Sequence, residues 1–250
     1  MNVISIPKEL TKILNKHGRS IGFVPTMGAL HKGHISLIEK SKEENEITVV
    51  SIFVNPTQFN DPKDFKNYPN RLDKDISILS SLSVDYVFTP ENDEIYNDNY
   101  AYTVTEKKLS KKLCGATREG HFEGVLTIVM KLLNIVNPTK AYFGEKDYQQ
   151  YLLIKGMADS FYMKTEIVSL PTIRENDGLA LSSRNLQLKD RDREKANKFY
   201  ELLVSDFEDK ELIEQLNKEG FKVDYVESID NRRFGAVFLG NVRLIDNVKK

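Results

Sequence analysis

Short β-rich runs alternate with segments of helical spacing through the first two-thirds of the chain, and this alternation restricts the folds available to it. The β-rich runs occupy residues 21–24, 47–54, 84–89, 141–143 and 167–170. Apolar residues recur every three or four positions in 125–136, and segments 72–82 and 149–159 also have helical spacing. Strands that alternate with helices predict a doubly wound parallel sheet, in which ligands bind beyond the carboxyl ends of the strands.

The pattern changes after about residue 175. Charged helical stretches at 189–201 and 206–220 precede β-rich runs at 221–226, 236–239 and 242–245. This order predicts a small α+β domain that follows the parallel one. We therefore expect an α/β domain over residues 1–175 and a smaller α+β domain over residues 176–250.

Composition narrows the classes of function. The 250 residues carry 36 Lys and Arg against 37 Asp and Glu, a net charge of −1, which argues against binding to nucleic acid or to a membrane surface. No apolar stretch approaches the roughly 20 residues of a membrane span, and the amino terminus lacks the features of a secretory signal. The one cysteine, Cys114, excludes an internal disulfide. These features favour a cytoplasmic protein.

The first polar segment, residues 25–34, directly follows a predicted strand and contains two glycines together with His31 and His34. Glycines let a backbone approach a ligand closely, and free amides at a helix start favour phosphate oxygens. The glycine spacing resembles a Walker A loop, although His34 and Ile35 stand where that loop has Lys and Ser or Thr. The two imidazoles can donate hydrogen bonds or carry positive charge. A tight turn and a histidine metal pair are the alternatives, and the metal pair lacks further ligands at a recognisable spacing.

Two further polar segments also follow predicted strands. Asn55 and Gln58 suit a small polar substrate, because a neutral amide offers both donors and an acceptor. Lys146 can neutralise a phosphate, Asp147 can accept from ribose hydroxyls, and Gln150 lies near a helix start. An ordinary Asn-Pro turn and a solvated charged loop are the respective alternatives.

The fourth polar segment contains Ser182, Ser183 and Arg184 in sequence. Two hydroxyls and a guanidinium can hold a polyphosphate, although the same residues also suit a plain helix cap. Because three of the four segments follow strands of one predicted sheet, we expect them to meet in one crevice.

Six blocks of the sequence together resemble one enzyme family. They are VPTMGALHKGH (24–34), VVSIFVNPTQF (49–59), GHFEGV (120–125), FGEKDYQQ (143–150), DGLALSSRN (177–185) and RLIDN (243–247). They follow the order and spacing of the pantoate–β-alanine ligases, or pantothenate synthetases, of the HIGH-type nucleotidyltransferase superfamily. The resemblance implies a Rossmann-like ATP-binding domain with a smaller carboxyl-terminal lid, in a homodimer. It also implies condensation of (R)-pantoate with β-alanine to pantothenate, with Mg²⁺, through pantoyl adenylate, with AMP and diphosphate as the other products.

The resemblance also implies roles for individual residues. His34, His31 and Lys146 are the implied catalytic residues, with His34 as the proton donor. Gln58 is expected to contact both pantoate and β-alanine, and Gln150 to contact pantoate. The implied ATP-binding residues are Met27, Gly28, Ala29, Leu30, His31, Lys32, Gly33, His34, Gly144, Glu145, Lys146, Asp147, Ile173, Leu181, Ser182, Ser183 and Arg184.

Three other functions stay open from the sequence: a nucleotidyltransferase that forms no amide, a nucleotide-binding regulator without catalysis, and tRNA ligation. The pair of Gln58 and Gln150 suits a small hydroxy acid and so favours the ligase over the first. The presence of His34 and Lys146 argues against the second. The short chain and the lack of a clear basic face argue against the third.

Overall fold

The larger of two sheets contains six parallel strands. In the computed structural model, which describes all 250 residues, these are β1 (Asn2–Ile4), β2 (Ile21–Thr26), β3 (Ile47–Ile52), β4 (Tyr86–Phe88), β5 (Lys140–Gly144) and β6 (Glu166–Leu170). Their order across the sheet is β1-β4-β3-β2-β5-β6. Strand β2 lies between β3, on one side, and β5, on the other. Because the strand order reverses at this point, a crevice opens beyond the carboxyl end of β2.

Ten helices accompany the strands. They are α1 (Pro7–Leu14), α2 (Lys32–Glu44), α3 (Pro62–Lys66), α4 (Leu72–Ser81), α5 (Asn92–Ile95), α6 (Cys114–Thr117), α7 (His121–Val136), α8 (Tyr148–Ser160), α9 (Asp190–Leu203) and α10 (Asp209–Lys218). None of the ten combines the length and the apolarity that a membrane span requires.

Both faces of the parallel sheet are covered, as the pattern predicts. Phe23 and Val49 belong to a cluster of 27 buried residues that also contains the apolar face of α7. Their neighbours Val24 and Val50 belong to a separate cluster of nine, with residues of α2 and α4. Alternate residues of a strand point to opposite faces, so two clusters require helices on both sides. The prediction of a doubly wound parallel sheet is confirmed.

The carboxyl-terminal part forms its own small sheet. Strands β7 (Lys222–Ile229), β8 (Arg232–Leu239) and β9 (Val242–Lys249) are antiparallel in that order. They share a cluster of 12 buried residues with α9 and α10, and this cluster begins at Leu179. The α+β character is therefore confirmed, and the boundary between residues 175 and 176 stays a prediction.

Candidate active site

A cleft of about 300 Å³ lies at the carboxyl ends of β2, β3 and β5. Residues from all four predicted polar segments line it. Together with Ile173, the lining residues from those segments include Met27, His31, Gly33, His34, Asn55, Gln58, Gly144, Lys146, Asp147, Gln150, Leu181, Ser182, Ser183 and Arg184. The structure thus brings together 12 of the 17 implied ATP-binding residues with both implied pantoate-binding residues.

The remaining implied residues, Gly28, Ala29, Leu30, Lys32 and Glu145, do not line the cleft. The amides of Ala29 and Leu30 donate to the carboxylate of buried Asp75, each over 2.8 Å, and the Gly28 amide donates to Thr26 Oγ1 over 3.1 Å. These amides are therefore bonded within the protein, and the ATP-binding role that the resemblance implies for Gly28, Ala29 and Leu30 stays a prediction. Glu145 instead contacts Arg232 of β8 over 3.2 Å.

Asp75 holds this loop in an unusual conformation. Gly28 and Ala29 both have positive φ, at 79° and 51°. A Cβ at residue 28 would lie 2.9 Å from Asp75 Oδ2, so this position needs glycine for space as well as for conformation. The loop then leads directly into α2, whose first turn carries the two histidines.

The rings of His31 and His34 lie against each other at the start of α2, with centroids 4.0 Å apart and planes tilted by 33°. His31 Nδ1 accepts from the Gly33 amide over 3.2 Å, and His34 Nδ1 accepts from the His31 amide over 3.4 Å. An Nδ1 that accepts leaves the proton of a neutral ring on Nε2. Both rings therefore offer an Nε2–H donor.

The charge state of the pair follows from its surroundings. Burial, followed by the positive charge of Lys146, lowers the pKa of His31 to about 4. Burial, His31 and Lys146 lower the pKa of His34 to about 3. At neutral pH both imidazoles are thus uncharged, and of the two possibilities left open by the sequence the structure favours hydrogen-bond donation.

Lys146 supplies the fixed positive charge beside these donors. It lies in a 3-10 turn, Glu145–Asp147, between β5 and α8. Its only ion pair is with Asp147, with Nζ 3.6 Å from Oδ2, and 18% of its side chain is exposed. Because it lowers the pKa of both His31 and His34, it lies within electrostatic reach of each ring.

Neutral amides form the next part of the cleft. Gln58 Oε1 accepts from Asn55 Nδ2 over 3.1 Å, and Asn55 is itself buried and accepts from Tyr96 Oη over 2.6 Å. Asn55 therefore orients Gln58. The adjacent Gln149 and Gln150 also differ from each other, since one is structural and the other faces the cleft. Gln149 is buried and bonds the backbone around Cys114, whereas Gln150 lines the cleft.

The segment Ser182–Arg184 closes the cleft from the side of the small sheet. Ser182 Oγ accepts from the Arg184 amide over 3.3 Å, so the helix-cap interpretation holds for Ser182. Ser183 Oγ lies 3.2 Å from Tyr68 Oη, and Arg184 Nη2 lies 2.9 Å from Asp64 Oδ2. Ser183 and Arg184 also line the cleft. One segment therefore contains both a helix cap and side chains that face the cleft.

Two lining residues, Arg118 and His121, had no role assigned from the sequence. Both guanidinium nitrogens of Arg118 are directed at this site: Nη1 lies 2.9 Å from His121 Nε2, and Nη2 donates to the Gln58 carbonyl over 3.1 Å. His121 Nδ1 donates to the same carbonyl over 2.8 Å. Burial and Arg118 lower the pKa of His121 to about 3. The only sequence signal for this pair is the block GHFEGV, which contains His121.

Arg118 differs from the other arginines of the cleft. Arg184 pairs with Asp64 and Arg243 pairs with Asp224, whereas Arg118 forms no ion pair. Burial, Arg243 and Arg184 lower its pKa to about 10, so it still carries a charge at neutral pH. A half-buried guanidinium without a carboxylate partner is suited to bind an anion.

Comparison with known sequences identifies the family. The sequence model of the family described as pantoate-beta-alanine ligase matches residues 2–249. The chain belongs to this family.

The sequence aligns with those of curated relatives over most of the length of each protein. A pantothenate synthetase from Bdellovibrio bacteriovorus is 51% identical over 247 residues, covering 99% of this chain and 98% of that protein. One from Coxiella burnetii is 51% identical over 229 residues, covering 92% and 89%. The resemblance carried by the six blocks is thus confirmed.

Solved structures of the family share the fold. A pantoate-beta-alanine ligase from Francisella tularensis, complexed with beta-gamma ATP and β-alanine, is 48% identical with a TM-score of 0.96, covering 100% of this chain and 97% of that one. A pantothenate synthetase from Thermus thermophilus is 37% identical with a TM-score of 0.91, covering 100% and 99%. The pantoate–β-alanine ligase fold therefore extends over both sheets of this chain.

Proposed function

We propose that this chain joins the carboxylate of (R)-pantoate to the amine of β-alanine, with conversion of ATP to AMP and diphosphate. The observation that carries the proposal is one cleft that holds phosphate-directed donors beside neutral amides and an unpaired guanidinium. Its membership of the pantoate–β-alanine ligase family supports the same reaction. The relative from Francisella tularensis is complexed with beta-gamma ATP and β-alanine, which correspond to two of the three substrates of this reaction.

The nucleotide lies along the wall formed by the first turn of α2, the turn Glu145–Asp147 and the segment Ser182–Arg184. His31 and His34 donate from Nε2 to phosphate oxygens, and Lys146 neutralises the α-phosphoryl group. Arg184 turns from Asp64 to the β- and γ-phosphates, for which its forked donors are suited.

The two acids occupy the amide side of the cleft. Gln58 and Gln150 bond the hydroxyl groups of pantoate, because each amide can donate and accept. Arg118 holds the carboxylate of β-alanine, which keeps its charge throughout the reaction. His121 orients Arg118 through the 2.9 Å contact between their nitrogens.

The reaction proceeds in two displacements. A carboxylate oxygen of pantoate attacks the α-phosphorus in line, the bond to the β-phosphate bridging oxygen breaks, and diphosphate leaves. The product is pantoyl adenylate. The neutral amine of β-alanine attacks its carbonyl carbon, the carbon–oxygen bond to AMP breaks, and the nitrogen releases a proton to water as the amide forms. Neutral His34 serves the first displacement as a hydrogen-bond donor to the departing diphosphate, where negative charge accumulates.

Mg²⁺ is part of the proposal and fits the acidic groups of the cleft. No group of three or more His, Cys, Asp or Glu side chains forms a ready metal cage in this chain. Mg²⁺ typically takes one or two protein carboxylates together with substrate phosphates and water. Asp64 and Asp147 line the cleft and are the residues to hold it. Held there, Mg²⁺ would supply positive charge that offsets the negative charge of the triphosphate.

The nucleotide products test the proposal. The purified chain is incubated with ATP, Mg²⁺, pantoate and β-alanine, and with each acid omitted in turn. We expect AMP, diphosphate and pantothenate, with diphosphate release dependent on pantoate. ADP and phosphate would indicate an acyl phosphate and contradict the adenylate route. AMP release without amide formation would favour a nucleotidyltransferase instead.

The proposal includes a homodimer in the cytoplasm, as the resemblance to the family implies. Light scattering of the purified chain is expected to give twice its mass of 28.7 kDa. Fractionation of cells that express the chain is expected to recover it without membranes.

A further inference from the structure

The block RLIDN has no role in the reaction as described so far, yet its last two residues reach both walls of the nucleotide site. Asp246 and Asn247 are adjacent in β9 of the small sheet and are each 4% exposed. Buried polar side chains require hydrogen-bond partners, and the partners of these two lie outside the small sheet as well as within it.

Asn247 holds the turn that carries Lys146. Its Nδ2 donates to the carbonyl of Glu145 over 2.8 Å and to the carbonyl of Lys146 over 2.9 Å. Its Oδ1 accepts from Arg232, which is 8% exposed and also bonds the Glu145 carboxylate. Both N–H donors and the oxygen of the Asn247 side chain are therefore used in hydrogen bonds that fix this turn to the small sheet.

Asp246 holds the opposite wall. Its carboxylate receives both terminal nitrogens of Arg174, over 2.5 and 3.0 Å. Arg174 also donates to the Gly178 carbonyl over 3.1 Å and stacks on the Tyr200 ring at 3.9 Å. Arg174 thus fixes the loop that leads to Ser182 and Arg184.

The two braces are joined to each other. The backbone N–H of Asn247 donates to Asp246 Oδ1 over 2.8 Å, so the Asp246 carboxylate is held against the backbone that carries the Asn247 side chain. We propose that Asp246 and Asn247 are positioning residues that set the distance between Lys146 and the Ser182–Arg184 segment, and so form the nucleotide site only when the small sheet is docked. The inference rests on the proposed function, because it assigns those two walls to ATP.

The test is a set of double-mutant cycles on pantoate-dependent diphosphate release. Because a displacement of about 1 Å at a reacting group costs on the order of 100-fold in rate, we expect Asn247→Ala to lower kcat by about 10–100-fold. In a Lys146→Ala background the same change is expected to cost less than about 2-fold, since the group it positions is absent. Asp246→Asn is expected to show the corresponding loss of effect in an Arg184→Ala background but not in the Lys146→Ala background.

Val242→Ala is the matched control. Val242 lies in the same strand, is 6% exposed and packs within the small sheet's own cluster without lining the cleft. Its effect is expected to multiply with that of Lys146→Ala, as for any residue that only stabilises the domain. Should Asn247→Ala not fold, Asn247→Asp replaces it in the cycle, because it keeps the acceptor for Arg232 and removes both donors.

Multiplicative effects of Asn247 and Lys146 would overturn the inference, as would a coupling for Val242→Ala equal to that for Asn247→Ala. The activity of the unchanged chain is measured in parallel, so that failure of the inference can be distinguished from failure of the proposed function. Failure of the unchanged chain to release AMP and diphosphate would contradict the proposed function itself. An active unchanged chain with uncoupled variants would contradict the positioning role alone.

Discussion

In the proposed reaction, two neutral histidines donate hydrogen bonds to the triphosphate and one lysine supplies positive charge beside them. His31 and His34 have their Nδ1 atoms occupied by backbone amides, so only Nε2–H faces outward. A neutral donor in a partly buried site stabilises charge as it develops, without the cost of burying another cation beside Lys146.

Removal of one of these donors tests this description. We expect His34→Ala to lower kcat for pantoate-dependent diphosphate release by about 10²–10⁴-fold, because its hydrogen bond strengthens as charge moves onto the leaving group. The unfolding temperature is expected to stay near that of the unchanged chain. His17→Ala is the control, since His17 contacts Tyr86 Oη over 2.8 Å and does not line the cleft. A folded His34→Ala variant of near-normal activity would reduce His34 to a helix-start residue.

The lowered histidine pKa values also predict how stability depends on pH. His121 has a pKa of about 3 in the folded protein against 6.5 in a free side chain. Its contribution is therefore fully present above pH 6.5 and is lost as the pH falls towards 3. One such group lowers the free energy of unfolding by about 2 kcal/mol between pH 6.5 and pH 5. Urea titrations are expected to show a smaller loss over this range for His121→Gln than for the unchanged chain, and an equal loss would contradict the assigned cause.

Sequence reasoning at the residue scale identifies which segments meet but not which side chain of each faces the ligand. It predicts Asn55 and Gln58 as a pair, yet Asn55 is buried and orients Gln58. It includes Ala29 and Leu30 among the implied ATP-binding residues but does not reveal that their amides donate to Asp75, which lies 45 residues beyond Leu30. Such partners lie far along the chain, and local spacing carries no information about them.

At the scale of elements, the close approach of α7 to the turn Pro56–Gln58 is what places Gln58 in the cleft. A Cβ on Gly124 would lie 2.4 Å from the Thr57 carbonyl oxygen and 2.8 Å from the Gln58 amide nitrogen. Only glycine permits this separation, because backbone atoms on the other side cannot turn aside as a flexible side chain can.

An added methyl group is therefore expected to separate these elements. Gly124→Ala should cost about 1–3 kcal/mol of stability through overpacking, and should raise KM for pantoate by about tenfold or more while KM for ATP changes little. Gly156→Ala is the matched control, since nothing lies within 4 Å of a Cβ there and α8 gains a better helix former. Equal changes in the two KM values would show that the turn does not position Gln58 separately from the nucleotide.

The elements themselves are largely predictable. The five predicted strands of the parallel sheet all occur, because apolar runs bounded by Pro, Gly and Asn are strong signals. Strand β1 is not predicted, since it has three residues of which two are exposed and thus lacks the apolar run of a buried strand. The predicted helix 206–220 begins later, at Asp209, because the Asp209 carboxylate bonds Ser228 of β7 and fixes the first turn of α10 there.

At the scale of the whole molecule, the cleft takes its walls from both sheets. Ser182 and Arg184 follow Leu179, which packs in the cluster of the small sheet, while His34 and Lys146 lie beyond strands β2 and β5 of the parallel sheet. A triphosphate that binds all four stabilises the docked arrangement as well as each domain.

Calorimetry tests this coupling. ATP without pantoate at about 100 times its Kd should add about 2.7 kcal/mol to the free energy of unfolding, and should raise Tm by about 5–10 °C for a chain of this size. We expect a single transition that shifts as a whole. AMP, which lacks the β- and γ-phosphates, should shift it less. Two transitions, of which ATP moves only the larger, would show that the domains do not share the nucleotide.

The pairing of β1 has a consequence for synthesis on the ribosome. Asn2 pairs with Tyr86 and Ile4 with Phe88, so β1 has no partner strand until β4 has also been translated. At roughly 5–20 residues per second, these roughly 80 residues take on the order of 4–16 s to synthesise. During that interval both edges of β1 are unpaired, and the nearby apolar residues Val3 and Ile6 stay 52% and 46% exposed even in the folded chain. Crowding of ribosomes on one messenger brings such edges from neighbouring chains together, so slower initiation of translation should increase the yield of native protein.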